Sequence, residues 1–511
     1  MKKTVFVILA AFIILSFSVG CGGEDFTVEE RDGGVYITDY RGEGGAVAVP
    51  DEIDGKRVVG IGDFAFANTP SLTELVLPDS VEYIGKYAFS NCKRLRSVKM
   101  PAGELDLGKS AFSECEALEG IVLSGVSNVP ESCFEGCASL VQITLGEVES
   151  IERKAFFGCV SLRSVSLPDS LKTLGEKAFA DCEGLVDVVI GRGIESIGKE
   201  CFSGVRAPID LSEARALTHL SFGLFSGYAG ESVKLPTMLK SADGGVFDGC
   251  RAAIKLVGCK EFTLPEYFFE GYLGESIDLT KFDGDLGASA FYGVSAELIF
   301  GDNFPERIGE KAFAGYLGER LDIGVAVNGI GKNAFAYAEC DIYFADGSEL
   351  TEIGEYAFAE WLGSKVKLHS GIKSIGAYAF YKCKNMKALP SISGVETIGE
   401  GAFSECNVIT AITLDGSVRE IGKDAFKSML NLRLVYLGDS VKVIGEGAFR
   451  SCGKLESMHF GTSVERIDEN AFYGCTNLLD IYYSGNEADW EKIKITGENT
   501  LYFASPVFNS K

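Results

Sequence analysis

The sequence repeats itself with a nearly constant period. An Ala-Phe dipeptide, or a close variant of it, returns every 22 or 23 residues along the 511-residue chain. The repeated phenylalanines are Phe66, Phe89, Phe112, Phe134, Phe156, Phe179, Phe202, Phe225, Phe247, Phe269, Phe291, Phe313, Phe335, Phe358, Phe380, Phe403, Phe426, Phe449 and Phe472. Such a period is typical of a solenoid, because one winding buries its apolar face only when a neighbour covers it. The sequence therefore predicts one elongated, β-rich solenoid of about 19 windings.

Residues 72–92 show how one winding is built. Apolar Leu75 and Leu77 lie two residues apart, which is the period of a short strand. A Pro-Asp-Ser segment follows and ends the strand, because proline cannot donate a ladder hydrogen bond. Gly85 is expected to allow a bend without a Cβ clash. Phe89 is then expected to fill the centre of the winding.

The full pattern, L-x-x-I-x-L-P-x-S-[VL]-x-x-I-G-x-x-A-F-x-x-C, resembles the BspA-like class of leucine-rich repeats, found on bacterial and some protist cell surfaces. The resemblance covers residues 58–483. Residues 35–49 and 53–58 resemble the opening strands of that family. Residues 482–485, followed by Asp489-Trp490 and Ile493, resemble its closing segment. The resemblance implies a leucine-rich repeat array with atypical capping ends, since a solenoid's open core has to be covered.

The array is predicted to contain three blocks, because two versions of the winding alternate in its middle and give a doubled unit of 44 or 45 residues. The predicted limits are 26–57 for an N-terminal β cap, 58–201 for single windings, 202–379 for doubled units, 380–483 for single windings and 484–511 for a C-terminal cap. We expect the curvature to change near Phe202 and again near Phe380.

The N-terminus has the features of an export signal. Residues 1–20 begin with two lysines, continue with an apolar run and end in small residues. The Gly20-Cys21 junction resembles a bacterial lipoprotein cleavage site, with Ser18 where that family usually has leucine. The resemblance implies a lipidated Cys21, a tether over residues 21–25 and a lipid-anchored location in the bacterial cell envelope, exposed at the surface. The alternative is a secreted protein in which Cys21 has no role.

The cysteines follow the repeat. Ten of the fifteen lie three residues after a repeat phenylalanine, a position that Tyr228, Tyr272, Tyr316 and Trp361 occupy in other windings. A position shared by cysteine and aromatic residues is an apolar slot, so buried, reduced thiols are expected. No C-x-x-C pair occurs, and one thiol per winding supplies no tetrahedral set, so no metal site is expected.

The composition argues against several functions. The three histidines, His219, His369 and His459, fall in different windings and cannot form a shared catalytic or metal site. No phosphate-binding glycine loop is present, so neither a cofactor nor an enzymatic activity is expected. A formal net charge of −25 without a basic stripe makes nucleic acid an unfavourable partner. Membrane contact is expected through the lipid anchor only.

The outward residue at the middle of each strand should form a row along one face. That row is predicted to contain Val76, Lys99, Val122, Thr144, Ser166, Val189, Asp210, Lys234, Lys255, Asp278, Ile299, Asp322, Tyr343, Lys367, Pro390, Thr413, Tyr436, His459 and Tyr482. Tyr436, His459 and Tyr482 are consecutive in it, and with Tyr343 they are the candidate ligand-binding residues, since tyrosine is common at binding hot spots. The other interpretation is that these rings protect an exposed sheet through their β-propensity. Both interpretations stay open.

Members of the BspA-like group are associated with attachment to host extracellular-matrix proteins and to other bacteria. The resemblance therefore implies a non-catalytic surface lipoprotein that binds macromolecules through its repeat face. Two alternatives remain: an envelope scaffold whose partners are other envelope proteins, and a glycan-binding surface protein of a nutrient-uptake system.

The lipid anchor is directly testable. Metabolic labelling with palmitate should mark the wild-type protein, and Cys21→Ala should abolish the label because it removes the acceptor thiol. Globomycin should block processing of the wild type. An unlabelled wild-type protein would rule out the anchor.

Overall fold

The computed structural model describes residues 23–31, 33–258, 262–302, 304–414, 416–499, 501 and 505–509. The predicted signal peptide, Cys21 and Cys259 lie outside these residues. The described part is a β-solenoid with almost no helix, which confirms the predicted fold class. Each winding contributes a longer strand, a short strand and an Ala-Phe turn, and each of these stacks on its counterpart in the next winding.

The longer strands form the first side of the solenoid, here called the long-strand ladder. Its strands are β3 (Gly45–Ala48), β6 (Leu72–Val76), β8 (Ser97–Lys99), β10 (Gly120–Leu123), β12 (Gln142–Leu145), β14 (Ser164–Ser166), β16 (Asp187–Val189), β18 (Ile209–Asp210), β20 (Ser232–Lys234), β22 (Ala253–Gly258), β23 (Ser276–Phe282), β24 (Glu297–Phe300), β26 (Arg320–Ile323), β28 (Asp341–Phe344), β30 (Val366–Lys367), β33 (Ala411–Thr413), β35 (Leu434–Tyr436), β37 (Ser457–Phe460), β39 (Asp480–Tyr483) and β41 (Val507–Phe508). The pairing along this ladder is parallel.

The short strands form the second side. They are β5 (Lys56–Ile61), β7 (Tyr83–Ile84), β9 (Asp106–Leu107), β11 (Asn128–Val129), β13 (Ser150–Ile151), β15 (Thr173–Leu174), β17 (Ser196–Ile197), β19 (His219–Leu220), β21 (Ser241–Ala242), β25 (Arg307–Ile308), β27 (Gly329–Ile330), β29 (Glu352–Ile353), β31 (Ser374–Ile375), β32 (Thr397–Ile398), β34 (Glu420–Ile421), β36 (Val443–Ile444), β38 (Arg466–Ile467) and β40 (Lys494–Ile495). Single bridges at Leu264 and Leu286 continue this side between β21 and β25.

The two ends differ from the repeat. At the N-terminus, β1 (Phe26–Arg31) pairs antiparallel with β2 (Gly34–Tyr40), and β4 (Glu52–Ile53) pairs antiparallel with β5. At the C-terminus, the one α-helix of the described residues, α1 (Glu487–Trp490), places the Trp490 ring 5.4 Å from that of Phe460. These irregular ends cover the first and last windings, whose apolar sides have no further neighbour. None of the described helices is long and apolar enough to cross a membrane.

The third side consists of the Ala-Phe turns, which have an unusual backbone. In all nineteen windings the residues two before and two after the repeat phenylalanine have positive φ, for example Tyr87 at 55° and Asn91 at 60°. Amides of these turns donate to carbonyl oxygens of the next winding, as Phe89 N does to Ala111 O at 2.8 Å. The left-handed residues thus allow the turns to form a third hydrogen-bonded ladder without extended strands.

The repeat phenylalanines fill the centre of the solenoid. Each is at most 1% exposed, and consecutive ring centroids lie 4.8–6.3 Å apart in an unbroken series. At the N-terminal end Tyr40 stacks on Phe66 at 4.8 Å and closes the series. The expectation that the rings plug each winding is confirmed.

The glycines of the Ile-Gly pairs have a different role from the predicted one. Gly85 and Gly198 lack positive φ, so bending is not what requires glycine. Instead, a Cβ on Gly198 would lie 2.4 Å from the amide nitrogen of Glu176 in the preceding winding. The absent side chain therefore lets the backbones of adjacent windings approach each other.

The long-strand ladder is interrupted near both predicted block limits, between β16 and β18 and between β30 and β33, and also inside the predicted doubled block, between β24 and β26. At the first interruption the centroid of the Phe202 ring lies 6.3 Å from that of Phe179 and 6.3 Å from that of Phe225, the largest spacings in the series. At the second, the predicted outward position of Pro390 is wrong, because Pro390 is buried and lies outside any strand. Proline has no N–H to donate, which explains the missing strand. The change of curvature and the block limits stay predictions.

Replacing a contact glycine should destabilise the solenoid. Gly198→Ala should lower the free energy of unfolding by about 1–3 kcal/mol, because the added methyl overlaps the backbone of the preceding winding. Gly453→Ala is the matched control, since a Cβ there would have no neighbour within 4 Å and its φ is not positive. Guanidinium unfolding followed by far-UV circular dichroism measures both. Equal stability of the two variants would contradict the contact.

Candidate functional site

The outward row of the long-strand ladder follows the predicted register. The structure pairs Val76 with Lys99, Ser166 with Val189 and Tyr436 with His459. In its middle part the row carries charge pairs between neighbouring strands: Lys234 Nζ lies 2.6 Å from Asp210 Oδ2, and Lys255 Nζ lies 2.5 Å from Asp278 Oδ2. These pairs are exposed and contribute at most about 1 kcal/mol each, so they keep this part of the face solvated without defining a site.

At the C-terminal end the row becomes aromatic. The imidazole of His459 lies between two phenol rings, with centroid distances of 4.1 Å to Tyr436 and 4.4 Å to Tyr482 and interplanar angles of 24° and 11°. The parallel register of β35, β37 and β39 imposes this stack, because it places the three residues on successive rungs. The structure thus brings together the three residues that the sequence predicted to be consecutive.

The same register adds a rung that sequence reasoning missed. After the C-terminal loop, β41 returns to the ladder and pairs Val507 with Tyr482. On the other side, Thr413 pairs with Tyr436. We call these five residues, Thr413, Tyr436, His459, Tyr482 and Val507, the aromatic stripe. The only sequence signal for the last rung is the short apolar Pro-Val-Phe segment near the C-terminus.

The aromatic stripe is uncharged near neutral pH. Partial burial lowers the pKa of the His459 imidazole below its ordinary value of 6.5. The Ser457 hydroxyl lies 3.4 Å from its Nε2 atom. Threonine, tyrosine and valine side chains carry no charge at this pH, so the stripe is a neutral surface on a chain with a formal charge of −25.

Tyr343 lies apart from the stripe. It is on β28, and the interruption that follows β30 separates it from β33. Its ring is contacted by two cations: Arg320 Cζ lies 4.2 Å and Lys365 Nζ 5.5 Å from the ring centroid. Arg320 is itself held by Asp322 at 2.7 Å. The structure therefore does not join this predicted site residue to the other three.

The cysteines of the repeat are structural. All thirteen described cysteines are free and buried. Nine of their thiols contact the carbonyl oxygen of the phenylalanine in the preceding winding, as Cys92 Sγ does with Phe66 O at 3.1 Å. Burial raises the pKa of the Cys137 thiol to about 12, so it stays protonated and is not a nucleophile.

The three histidines are separate, as predicted: His219 is on the short-strand side, His369 is buried and His459 is in the stripe. Within the described part of the chain, no group of three or more histidine, cysteine, aspartate or glutamate side chains has a metal-binding arrangement. No catalytic constellation follows from these residues.

The stacking makes a prediction for the titration of His459. Its pKa in the folded protein should lie below 6.5, and Tyr436→Ala with Tyr482→Ala should raise it, because the flanking rings exclude water. Since folding lowers this pKa, the stability contributed by the group is complete above about pH 6.5 and declines as the pH falls below it. An NMR titration of the imidazole carbon measures the shift. Tyr473→Ala, an exposed tyrosine outside the stripe, is the control and should leave it unchanged.

No protein of curated function matches the sequence. Among solved structures, a leucine rich cell surface protein from Faecalibacterium prausnitzii is 20% identical, covers 93% of this chain and 97% of its own, and has a TM-score of 0.29. A leucine-rich repeat protein from Bacteroides ovatus is 21% identical over 96% and 100% of the two chains, with a TM-score of 0.29. The leucine rich repeat protein of T. pallidum is 28% identical over 44% of this chain and 87% of its own, with a TM-score of 0.28.

The family itself is identified by a sequence model. The model of the BspA type leucine rich repeat region matches residues 59–182, 145–254, 262–387 and 351–479. These matches span most of the solenoid and confirm the resemblance seen in its repeat pattern. The chain belongs to the BspA-type leucine-rich repeat family.

Proposed function

We propose that this protein is a lipid-anchored, non-catalytic protein of the bacterial cell surface that binds other proteins through its aromatic stripe. Leucine-rich repeat domains generally bind proteins, and repeat proteins of this kind are typically non-catalytic. The finer proposal is adhesion, with host extracellular-matrix proteins or the surface proteins of other cells as partners. Anchoring through Cys21 would hold the solenoid at the membrane and leave its ladders accessible.

The observation that carries the proposal is the neutrality of the stripe. Protein interfaces are depleted of charge at their core and enriched in tyrosine. The aromatic stripe has this composition, while the rest of the chain is strongly acidic. Four steps of a strand ladder, at ~4.8 Å each, give it a length suited to a hot spot at the centre of a protein contact.

Ring geometry favours a polypeptide partner over a glycan at this site. Sugars stack on a free aromatic face, but both faces of the His459 imidazole are covered by Tyr436 and Tyr482. What the stack presents outward is the edges of the rings, with two phenol hydroxyls and imidazole nitrogens. These groups donate and accept hydrogen bonds at fixed positions, which suits the backbone and polar side chains of a protein.

The envelope-scaffold alternative uses the same surface with a partner inside the envelope. Protease treatment of intact cells distinguishes the two, since a protein exposed at the surface is cleaved and a protein facing the periplasm is protected. Protection of the anchored protein would favour the scaffold.

The stripe should be a hot spot. Tyr436→Ala with Tyr482→Ala should weaken binding by at least about 2 kcal/mol, roughly 30-fold in Kd, in biolayer interferometry against a panel of purified extracellular-matrix proteins. Tyr473→Ala is the matched control, because Tyr473 is 47% exposed near the same end of the solenoid but lies on an Ala-Phe turn. Melting temperatures should stay close to that of the wild type. Unchanged affinity of the double variant for a matrix protein that the wild type binds would remove the stripe from the proposal.

A further inference from the structure

The Ala-Phe side has a smooth stretch in the middle of the solenoid. In six consecutive windings the left-handed position two residues after the phenylalanine is glycine: Gly204, Gly227, Gly249, Gly271, Gly293 and Gly315. Three of the other thirteen windings also have glycine there, at Gly136, Gly158 and Gly474, but they do not form a run of this length. The remaining ten place asparagine, glutamate, lysine, serine, aspartate or tyrosine at this position, with a similar positive φ. Those residues show that the backbone tolerates a side chain at this position, so glycine does more here than relieve strain. Within the run, Gly271 and Gly293 line a groove on this side of the solenoid.

Exposed aromatic rings border this groove. Phe222 is 48% exposed and Tyr292 is 46% exposed, although neither occupies a position that the repeat reserves for an aromatic residue. Tyr267 meets Tyr292 edge to face, with centroids 5.9 Å apart at 89°. In contrast to the aromatic stripe, this pair is not stacked in parallel, so the two rings cover at most one face of one another.

The groove is acidic as well as aromatic. It has a volume of about 570 Å³, and Phe222, Asp248, Glu270, Gly271 and Tyr292 are among its lining residues; we call it the glycine groove. Asp248 Oδ1 lies over Gly271, where it is 2.1 Å from the place that a Cβ would occupy. Neither Asp248 nor Glu270 takes part in an ion pair within the described residues, and no lysine or arginine is among the described lining residues.

These features select the charge of the occupant. Two unpaired carboxylates between aromatic rings attract a cation, both by charge and by the negative faces of the rings. The net charge of −25 repels an anionic ligand and steers a basic one to the surface. A lysine or arginine side chain of a partner can form an ion pair with a carboxylate and contact an aromatic ring at the same time. A neutral glycan would leave the negative charges of the carboxylates uncompensated.

The dimensions select the form of the occupant. From the winding of Phe225 to that of Phe291 the groove crosses three steps, each 5.3–5.5 Å between ring centroids. An extended polyproline II segment advances ~3.1 Å per residue, so about five residues fill this length. Polyproline II segments also bind aromatic-lined grooves in other domains.

We propose that the glycine groove binds an extended, lysine- or arginine-bearing polypeptide segment, as a second site separate from the aromatic stripe. Asp248 and Glu270 pair with two of its basic side chains, and Phe222 and Tyr292 contact its extended backbone and apolar groups. This inference does not depend on the function proposed for the stripe.

The test uses the full-length protein and a fluorescein-labelled peptide of alternating proline and arginine, followed by fluorescence anisotropy. The wild type should bind the peptide saturably. Asp248→Asn with Glu270→Gln should weaken binding about ten-fold or more, because both countercharges are lost while side-chain size is kept. Tyr292→Ala should weaken it as well, and Tyr292→Phe should retain it, because the ring is preserved.

The control separates the groove from the overall charge. Asp187→Asn with Glu195→Gln removes two exposed carboxylates that take part in no ion pair in the described structure, and it should change the affinity less than about two-fold. Tyr436→Ala with Tyr482→Ala should leave peptide binding intact, which keeps this test independent of the stripe.

Three results would overturn the proposal. One is the absence of saturable peptide binding by the wild type. Another is equal weakening by the Asp187/Glu195 control pair, which would mean general electrostatic attraction. The third is wild-type binding of cellohexaose, or of the peptide with glutamate in place of arginine, at least as tightly as the basic peptide. Binding of cellohexaose would assign the groove to a neutral glycan instead.

Discussion

The stacking of one buried phenylalanine on the next is the interaction on which the rest of the structure depends. Every winding is too small to enclose a core of its own, and its ring packs against the rings before and after it. Removal of a buried phenylalanine side chain typically lowers the free energy of unfolding by about 3–5 kcal/mol. Here it would also remove one stacking partner from each of the two neighbouring rings. The long exposed ladders exist because this internal column holds consecutive windings at a spacing that also suits backbone hydrogen bonds.

That spacing is kept by backbone features on the other sides of the solenoid. Glycine in the Ile-Gly pairs allows contact with the preceding winding, and two left-handed residues in each turn aim amides at the next one. A left-handed residue other than glycine costs roughly 1–2 kcal/mol. Each turn makes hydrogen bonds worth about 0.5–1.5 kcal/mol apiece, and these pair amides that would otherwise be buried without a partner. These hydrogen bonds offset the conformational cost of the left-handed residues within the same winding.

On this uniform frame the two proposed surfaces differ in chemistry. In the aromatic stripe the rings cover one another and present neutral polar edges. In the glycine groove Phe222 and Tyr292 come from windings that are three steps apart, and the carboxylates of Asp248 and Glu270 belong to the windings between them. A neutral hot spot and an acidic groove select different partners, so one elongated protein offers separate contacts on separate sides. Both depend on residues that depart from the repeat.

The amino-acid pattern alone determined the fold, the burial of phenylalanine and cysteine, and the neighbours in the outward row, because a constant period fixes which residues face the core and which rungs meet. It also placed Tyr436, His459 and Tyr482 together. It failed where long-range packing decides the outcome: Pro390 is buried, and Gly198 serves a close contact instead of a bend. Only the tertiary structure returned Val507 to the ladder and assembled the glycine groove, since residues from four windings form that groove and no local pattern links them.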